Sequence, residues 1–397
     1  MITCMYLLPC MLVWFCFKRR ICISCCYAFL LYYILVYSLN PSKVIWHNCY
    51  FATFLLCFSL GVMVALRVTC PLSNFNLPQK KLIRRVLYLF FTLLLLIVAI
   101  RILYRYSFID KSYENIRLKL ALNITYWEFI IFFKISLFII PCLFFLINNK
   151  ILKFSFLFLS LLLLYVPQHR ALPFFCIFVT SLSFCFFKYN FSISLKNVVC
   201  LGFFICFGLW CVSSIQLKKF ASLDCFLRRP FSAVSHISYI GLNFGNRAHT
   251  YGRASFSKLY YLCHKNSERL SVSKELYAFK NNVNLEDIPI GASMNTPTPV
   301  QLYIDFGWFA LFFAFFLGMY LKTLDNLVIS FSENNNITKS LAVSYSCCIT
   351  GSVLFMVTGM GTVLLSGGML IYSILLILFI NLGSNEIFSK IESKTSV

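Results

Sequence analysis

The sequence predicts an all-α protein that crosses a lipid bilayer many times and carries one large loop outside the membrane. Of the 397 residues, 60% are hydrophobic and only 12% are charged, and the mean hydropathy is +0.81. A water-soluble domain of this size needs a charged surface, and this chain has too few charged residues to build one. Apolar stretches of about 20 residues, the length of a membrane-spanning helix, recur along the chain. The composition therefore excludes a water-soluble globular protein.

The apolar stretches predict about 11 transmembrane helices, within a range of roughly 10–12. The predicted spans are 2–17, 21–39, 49–66, 86–104, 126–147, 151–166, 172–187, 197–215, 300–321, 340–360 and 362–381. The first lacks a basic leader and a small-residue cleavage site, so we interpret it as a span and not as a signal peptide. The predicted organisation is helices 1–8 (residues 1–215), a large loop (216–299), and helices 9–11 with a short tail (300–397).

Basic residues in the short loops predict the orientation. The formal net charge is +22, and loops 18–20, 67–85, 150–153, 188–196 and 322–339 carry basic residues that fall on one side if the spans alternate. Short basic loops stay in the cytoplasm, so we expect the N-terminus outside and the C-terminus inside. Segment 216–299 then lies outside. The cytoplasmic loops are too short to form a nucleic-acid-binding module.

The large loop is strongly basic, with eleven basic and five acidic residues. Arg228 and Arg229 lie near its start, and Arg247 and Arg253 follow. Guanidinium groups match the oxygens of phosphate, so the loop suits an anionic group such as a pyrophosphate. A basic surface that faces water and lipid headgroups is the alternative. The stretch from Ser273 to Lys280 predicts a short helix on or near the membrane.

Polar residues elsewhere in the chain also need an explanation. Arg170 lies in a proline-flanked turn on the predicted outer side, where an anionic substrate group or lipid phosphates would serve as its partner. Arg101, Glu128 and Lys134 fall within or at the ends of spans, so they should face a cavity or each other. Glu128 and Lys134 lie on different helix faces, which leaves Lys134 as a candidate cavity residue.

The exit from the loop combines a polar turn with an acid. Pro297 and Pro299 cannot occupy a helix interior, so we expect a rigid turn there and a ninth span that begins at about Val300. Asp305 would then lie one turn inside the membrane. It would meet Arg170 or a loop arginine, or it would stabilise the positive end of the helix dipole.

These features resemble a known family. The exit reads Asn295-Thr296-x-Thr298 followed by Asp305-Phe306-Gly307, and fifteen residues separate Arg229 from Gly245. Together with the layout of spans and loop, this is similar to the O-antigen polymerases (Wzy-type), which polymerise oligosaccharide repeat units. The resemblance implies a GT-C-like glycosyltransferase architecture in the inner membrane of a bacterial cell.

The resemblance also implies an activity and partners. The protein would transfer a growing glycan from undecaprenyl pyrophosphate to a new lipid-linked repeat unit at the periplasmic face, without a metal or another cofactor. Its partners would be the undecaprenyl-pyrophosphate-linked oligosaccharide, membrane lipids, and a chain-length regulator and flippase of the same pathway. An O-antigen ligase shares the donor and differs in the acceptor. A flippase for lipid-linked oligosaccharides is a further alternative, although flippases have short loops throughout.

Site residues follow from the same resemblance. Arg170, Arg229 and Arg247 would hold the pyrophosphate and stabilise charge on the leaving group. His249 or Asp305 would accept the proton of the attacking hydroxyl. The residues expected to contact substrate around this centre are Arg228, Arg253, Lys134, Asn295 and Thr296.

Overall fold

The computed structural model describes residues 22–38, 45–65, 80–107, 125, 128, 131–165, 171–189, 236–247, 249–256, 260, 263, 271–288, 294, 296–334, 339–353 and 369–380. All regular structure in these residues is helical, which confirms the all-α class. The first and eighth predicted spans lie outside the described residues, as do Arg170, Arg228, Arg229 and Asn295.

The α-helices of the described residues are, in chain order, α1 (Ile23–Ser38), α2 (Ile45–Val64), α3 (Lys80–Ser107), α4 (Ser136–Leu146), α5 (Lys150–Tyr165), α6 (Ala171–Tyr189), α7 (236–247), α8 (Val272–Asn281), α9 (Thr298–Phe306), α10 (Ala310–Asn334), α11 (Lys339–Val353) and α12 (Met369–Ile380). A π-helical turn, Ile131–Ile135, precedes α4, and a 3-10 turn, Gly307–Phe309, joins α9 to α10. The predicted short helix at 273–280 is confirmed as α8.

Within the described residues, four helical segments are long and apolar enough to cross a membrane. They are Trp46–Val64, Arg85–Arg105, Leu172–Tyr189 and Thr298–Ser332, which correspond to the third, fourth, seventh and ninth predicted spans. The total number of spans stays a prediction, because other predicted spans lie partly or wholly outside the described residues.

The chain forms two compact units, each built from segments far apart in sequence. Unit 1 comprises residues 1–68, 213–327 and 351–369, and unit 2 comprises residues 69–212, 328–350 and 370–397. Each unit therefore depends on contacts between distant parts of the chain.

Two glycines let α2 and α10 cross closely in unit 1. A Cβ atom on Gly61 would lie 2.0 Å from the carbonyl oxygen of Phe315, and one on Gly318 would lie 2.2 Å from that of Phe58. Helices in membranes associate through small residues of this kind, because apolar burial contributes little between them. Any side chain at these two positions would force the helix backbones apart.

A buried acid of α10 caps the start of α1. The Asp325 carboxylate accepts hydrogen bonds from the backbone N–H groups of Ile23 and Ser24, both at 2.9 Å, and from the Ser24 hydroxyl at 2.5 Å. The first N–H groups of a helix have no partner within the helix, and a carboxylate there also meets the positive end of the helix dipole. These hydrogen bonds compensate for the free-energy cost of burying the Asp325 carboxylate.

The ninth predicted span is interrupted, which corrects the expectation of one continuous helix over 300–321. Helix α9 begins at Thr298, with Pro299 in the first turn, where a missing N–H costs nothing. It ends at Phe306 because Gly307 adopts a left-handed φ of 56°, and the helix resumes at Ala310. Asp305 therefore lies in the short α9, before the break.

Charged residues near the end of α3 pair with each other in unit 2. Glu128 is 4% exposed and contacts Arg101 Nε at 3.0 Å and Arg105 Nη1 at 2.8 Å. Thr125 also donates its backbone N–H to Glu128 at 2.8 Å. Arg101 and Glu128 were predicted to face either each other or a cavity, and the structure confirms that they face each other.

Apolar side chains cover the outward faces of the helices in unit 2. Leu89, Phe90 and Leu96 of α3 are each more than half exposed. The cysteines Cys142, Cys176, Cys347 and Cys348 are buried free thiols, which pack in the interior as small apolar side chains. Exposed apolar faces over a packed interior are what a lipid environment requires.

Candidate functional site

Helix α7 lies against α9 through two glycines. A Cβ atom on Gly241 would lie 2.5 Å from Val300 Cγ1, and one on Gly245 would lie 3.1 Å from the Cα atom of Ile304. The two glycines are four residues apart and so occupy one face of α7. Gly245, which follows Arg229 with fifteen residues between them, therefore has a packing role. The contact with α9 also turns the opposite face of α7 outward.

The outward face of α7 is polar and forms one wall of a cleft. The cleft has a volume of about 580 Å³, and α8 supplies part of its other side. Its lining residues are His236, Tyr239, Ile240, Asn243, Asn246, Arg247, Phe279 and Lys280. We call this space the α7–α8 cleft. It combines an imidazole, two amides, two aromatic rings and two cations, and none of these lining residues is acidic.

Aromatic contacts hold the cationic side of the cleft in place. The guanidinium carbon of Arg247 lies 4.8 Å from the centroid of the Phe279 ring, and the Phe244 ring packs edge-on against Phe279 at 5.5 Å. A guanidinium over a ring is attracted to the ring face and still has its N–H donors for a ligand. Next to Arg247 in the last turn of α7, Asn246 accepts a hydrogen bond from the Tyr303 hydroxyl at 2.6 Å.

Asp305 forms a buried clasp with the turn that follows α7. Its carboxylate accepts hydrogen bonds from the Thr250 hydroxyl at 2.5 Å, the Ala254 N–H at 2.9 Å and the Ser255 N–H at 2.6 Å. The Thr250 N–H also donates to the carbonyl of Ile304 at 3.0 Å. We call Thr250, Ala254, Ser255 and Asp305 the Asp305 clasp. It fastens the turn after α7 to the end of α9.

The clasp changes the expected role of Asp305. The predicted partner was Arg170, a loop arginine or the helix dipole, whereas the partners in the described part of the chain are one hydroxyl and two backbone N–H groups. The side chain is fully buried, and both of its oxygens accept hydrogen bonds. A role for Asp305 as proton acceptor stays a prediction. The effect of the carboxylate in the structure is to hold the 250–255 turn.

His249 lies at the exposed edge of the same turn. Its Nδ1 atom is 3.4 Å from the carbonyl oxygen of Ile304, and its ring lies over Gly307, where a Cβ atom would be 3.0 Å from Cε1. Glycine is thus required at 307 for two reasons, its left-handed φ and the space that the imidazole occupies. The Asp-Phe-Gly sequence therefore places an exposed imidazole next to a buried carboxylate.

Of three other predicted contact residues, Arg253 is paired through its side chain, and Thr296 and Lys134 accept hydrogen bonds through their backbone carbonyls. Arg253 forms an ion pair with Glu275 of α8 at 2.6 Å, which ties the clasp turn to α8. Thr296 is 1% exposed, and its carbonyl accepts a hydrogen bond from the Gln301 amide at 2.8 Å. Lys134 belongs to the π-helical turn of unit 2, where its carbonyl accepts a hydrogen bond from the Tyr372 hydroxyl at 2.8 Å. A substrate contact for these three stays a prediction.

The structure brings Arg247, His249, Arg253 and Asp305 into one region of unit 1, around the turn that follows α7. Sequence reasoning missed Tyr239, Asn243 and Asn246 as cleft residues, and it gave no role to His236 and Lys280. The signal was present in α7: residues 236, 239, 243 and 246 recur at intervals of three and four, which is one face of a helix.

Among the described residues, no group of three or more His, Cys, Asp or Glu side chains is arranged to hold a metal ion. Comparison of the chain with protein-family models, with curated proteins and with solved structures found no match. The function proposed for this protein therefore depends on its own residues.

Proposed function

We propose that this protein is a membrane glycosyltransferase that polymerises oligosaccharide repeat units of a surface glycan, as the O-antigen polymerases do. The observation that carries the proposal is the α7–α8 cleft, which combines Arg247 and Lys280 with amide and aromatic side chains. Cations suit a pyrophosphate, and amides and rings suit the hydroxyls and faces of sugars. The apolar helices that could cross a membrane are consistent with a substrate that carries a lipid.

The reaction transfers a glycan between two lipid carriers. A hydroxyl at the end of a new lipid-linked repeat unit attacks the anomeric carbon of the growing chain. The bond between that carbon and the pyrophosphate oxygen breaks, and undecaprenyl pyrophosphate leaves with the bonding electrons. The attacking hydroxyl gives its proton to a base. Pyrophosphate is a good leaving group, so guanidinium groups can stabilise the charge that develops on it.

The described residues divide these tasks. Arg247 and Lys280 bind the pyrophosphate, while Tyr239 and Phe279 contact sugar rings. His249 is the proton acceptor, because it is exposed and because an Nδ1–H directed at the Ile304 carbonyl would leave Nε2 able to accept a proton. Asp305 positions His249 by holding the clasp turn.

The remaining predicted residues complete the proposal. Arg170, Arg228 and Arg229 would add cations to the pyrophosphate site from segments outside the described residues. The protein would work at the periplasmic face of a bacterial inner membrane, together with a flippase that supplies repeat units and a regulator of chain length.

The test is the length of the surface glycan in a deletion strain complemented with variants. Arg247→Ala and Lys280→Ala should remove long chains, while Lys274→Ala should leave the ladder of chain lengths unchanged. Lys274 is a matched control because it is an exposed lysine of α8 that does not line the cleft. Each variant must reach the membrane in normal amount. Normal ladders from both cleft variants would contradict the assignment of the cleft.

The same strain separates the polymerase from the ligase. Loss of a polymerase leaves single repeat units on the surface glycolipid, whereas loss of a ligase leaves none. The predicted location of the loop can be measured with Cys263, an exposed free thiol. A membrane-impermeant maleimide added to spheroplasts should label the wild type more than Cys263→Ser. Labelling of Cys263 only after lysis would place the loop in the cytoplasm and end the proposal.

A further inference from the structure

Four helix ends in unit 2 bring lysines together. Helix α4 ends near Phe145, α5 begins at Lys150, α6 ends at Tyr189, and α11 begins at Lys339. Helices α4, α5 and α6 pack on one another, and Lys339 joins α11 to them. The lysines at these helix ends are Lys150, Lys153, Lys188 and Lys339. We call them the lysine collar.

Lys339 connects three of these helices. Its ammonium group donates a hydrogen bond to the carbonyl of Phe145 in the last turn of α4, at 3.1 Å. The same nitrogen lies 5.8 Å from the centroid of the Phe187 ring on α6. A cation at a helix C-terminus interacts favourably with the unpaired carbonyls and the negative end of the dipole. The position of this charge is therefore determined by the fold.

Aromatic rings hold two further lysines of the collar. The Lys153 ammonium lies 4.9 Å from the centroid of the Phe144 ring, and the Lys188 ammonium lies 5.3 Å from that of Tyr189. Within the described part of the chain, no ion pair joins any of the four lysines to an acidic side chain. The collar therefore presents positive charge that the described acids do not neutralise.

The collar borders an exposed apolar surface. Leu146, Ile151 and Phe154 lie beside its lysines and are 57%, 79% and 62% exposed, respectively. A binding partner must therefore offer negative charge and hydrocarbon side by side. Acidic phospholipids have this combination, whereas a nucleic acid or an acidic soluble protein would leave the apolar side chains in water.

We propose that the lysine collar is a binding site for the headgroups of acidic phospholipids in the adjacent leaflet. The ammonium groups bind the lipid phosphates, and the flanking apolar side chains contact the acyl chains. The site lies in unit 2 and does not depend on the α7–α8 cleft or on glycosyl transfer.

The experiment compares lipid binding by the full chain and by charge variants in a neutral detergent. Phosphatidylglycerol should raise the melting temperature of the wild type more than phosphatidylcholine does. The triple variant Lys153→Gln, Lys188→Gln, Lys339→Gln should lose this preference. Each lysine removed should lower the affinity for phosphatidylglycerol about five-fold. The triple arginine variant at the same positions keeps the charge and should retain it. Lys274→Gln, which lies in unit 1, should behave as the wild type.

Three results would overturn the proposal. One is equal stabilisation of the wild type by the two lipids, and another is an unchanged preference in the glutamine variant. The third is the same shift with inorganic phosphate alone, which would mean that any small anion suffices. If the glutamine variant does not fold, the wild type is measured in rising salt. If binding is ionic, rising salt should abolish the preference of the wild type for phosphatidylglycerol over phosphatidylcholine. A preference that survives high salt would refute the proposed site.

Discussion

The Asp305 clasp permits a direct test of whether this residue positions the turn or accepts a proton. The change is Asp305→Asn, which keeps the size of the side chain and removes its charge. The carboxylate accepts from Thr250, Ala254 and Ser255. An amide has one oxygen and one NH2 group, so in either orientation one backbone N–H of the turn faces a donor.

The magnitude follows from the lost hydrogen bond. A hydrogen bond to a charged acceptor contributes about 1.5–3 kcal/mol, and a buried donor left without an acceptor costs about 1–3 kcal/mol. These two figures describe overlapping effects, so we expect the clasp to be weakened by about 3 kcal/mol. Thr250→Val removes only the hydroxyl and should cost about 1 kcal/mol. The effects should not be additive, because both changes act on one carboxylate.

Hydrogen exchange measures the clasp directly. The amides of Ala254 and Ser255 should exchange about 100-fold faster in Asp305→Asn than in the wild type, since a tenfold change corresponds to about 1.4 kcal/mol. The amides of α4, which belongs to unit 2, serve as the internal reference. The chain-length ladder is recorded for the same variant.

One result would refute the reasoning. If Asp305→Asn abolished long chains while the exchange of Ala254 and Ser255 stayed as in the wild type, the carboxylate would act in the chemistry and not through the turn. Faster exchange with reduced transfer is the result that a positioning residue predicts.

Further predictions concern contacts within each of the two units. Gly61→Ala should destabilise the protein by about 1–3 kcal/mol in thermal unfolding, because its Cβ atom would overlap a carbonyl of α10. Gly351→Ala is the control, since its nearest neighbour there would be at 3.4 Å, an ordinary contact. Asp325→Ala should cost about 1–2 kcal/mol and speed exchange in the first turn of α1, because it removes the helix cap. Arg105→Ala should lower the melting temperature more than Arg101→Ala, because the Arg101 side chain is 58% exposed and that of Arg105 is 28% exposed.

Several features could be read from the sequence because they depend on neighbouring residues. The helical class and the four described helices that are long and apolar enough to cross a membrane follow from consecutive apolar residues. Helix α8 was predicted from the stretch Ser273 to Lys280. The pairing of Glu128 with Arg101 was one of two arrangements expected from the cost of leaving either charge alone in lipid.

Helix α7 was missed for a specific physical reason. It contains Gly241 and Gly245, and glycine disfavours an isolated helix by about 1 kcal/mol relative to alanine. The close approach of α9 compensates for this cost, because only glycine fits against Val300 and Ile304. The cleft residues of α7 were therefore not recognised as one face.

The sequence by itself determined that this is a helical membrane protein with a basic loop, since transfer into lipid depends on stretches of consecutive side chains. Only the tertiary structure decided which groups meet: Asp305 with the turn fifty residues before it, Asp325 with the start of α1, and Lys339 with the last turn of α4. The partner of a buried charge depends on which distant backbone reaches it, and a local pattern does not contain that information.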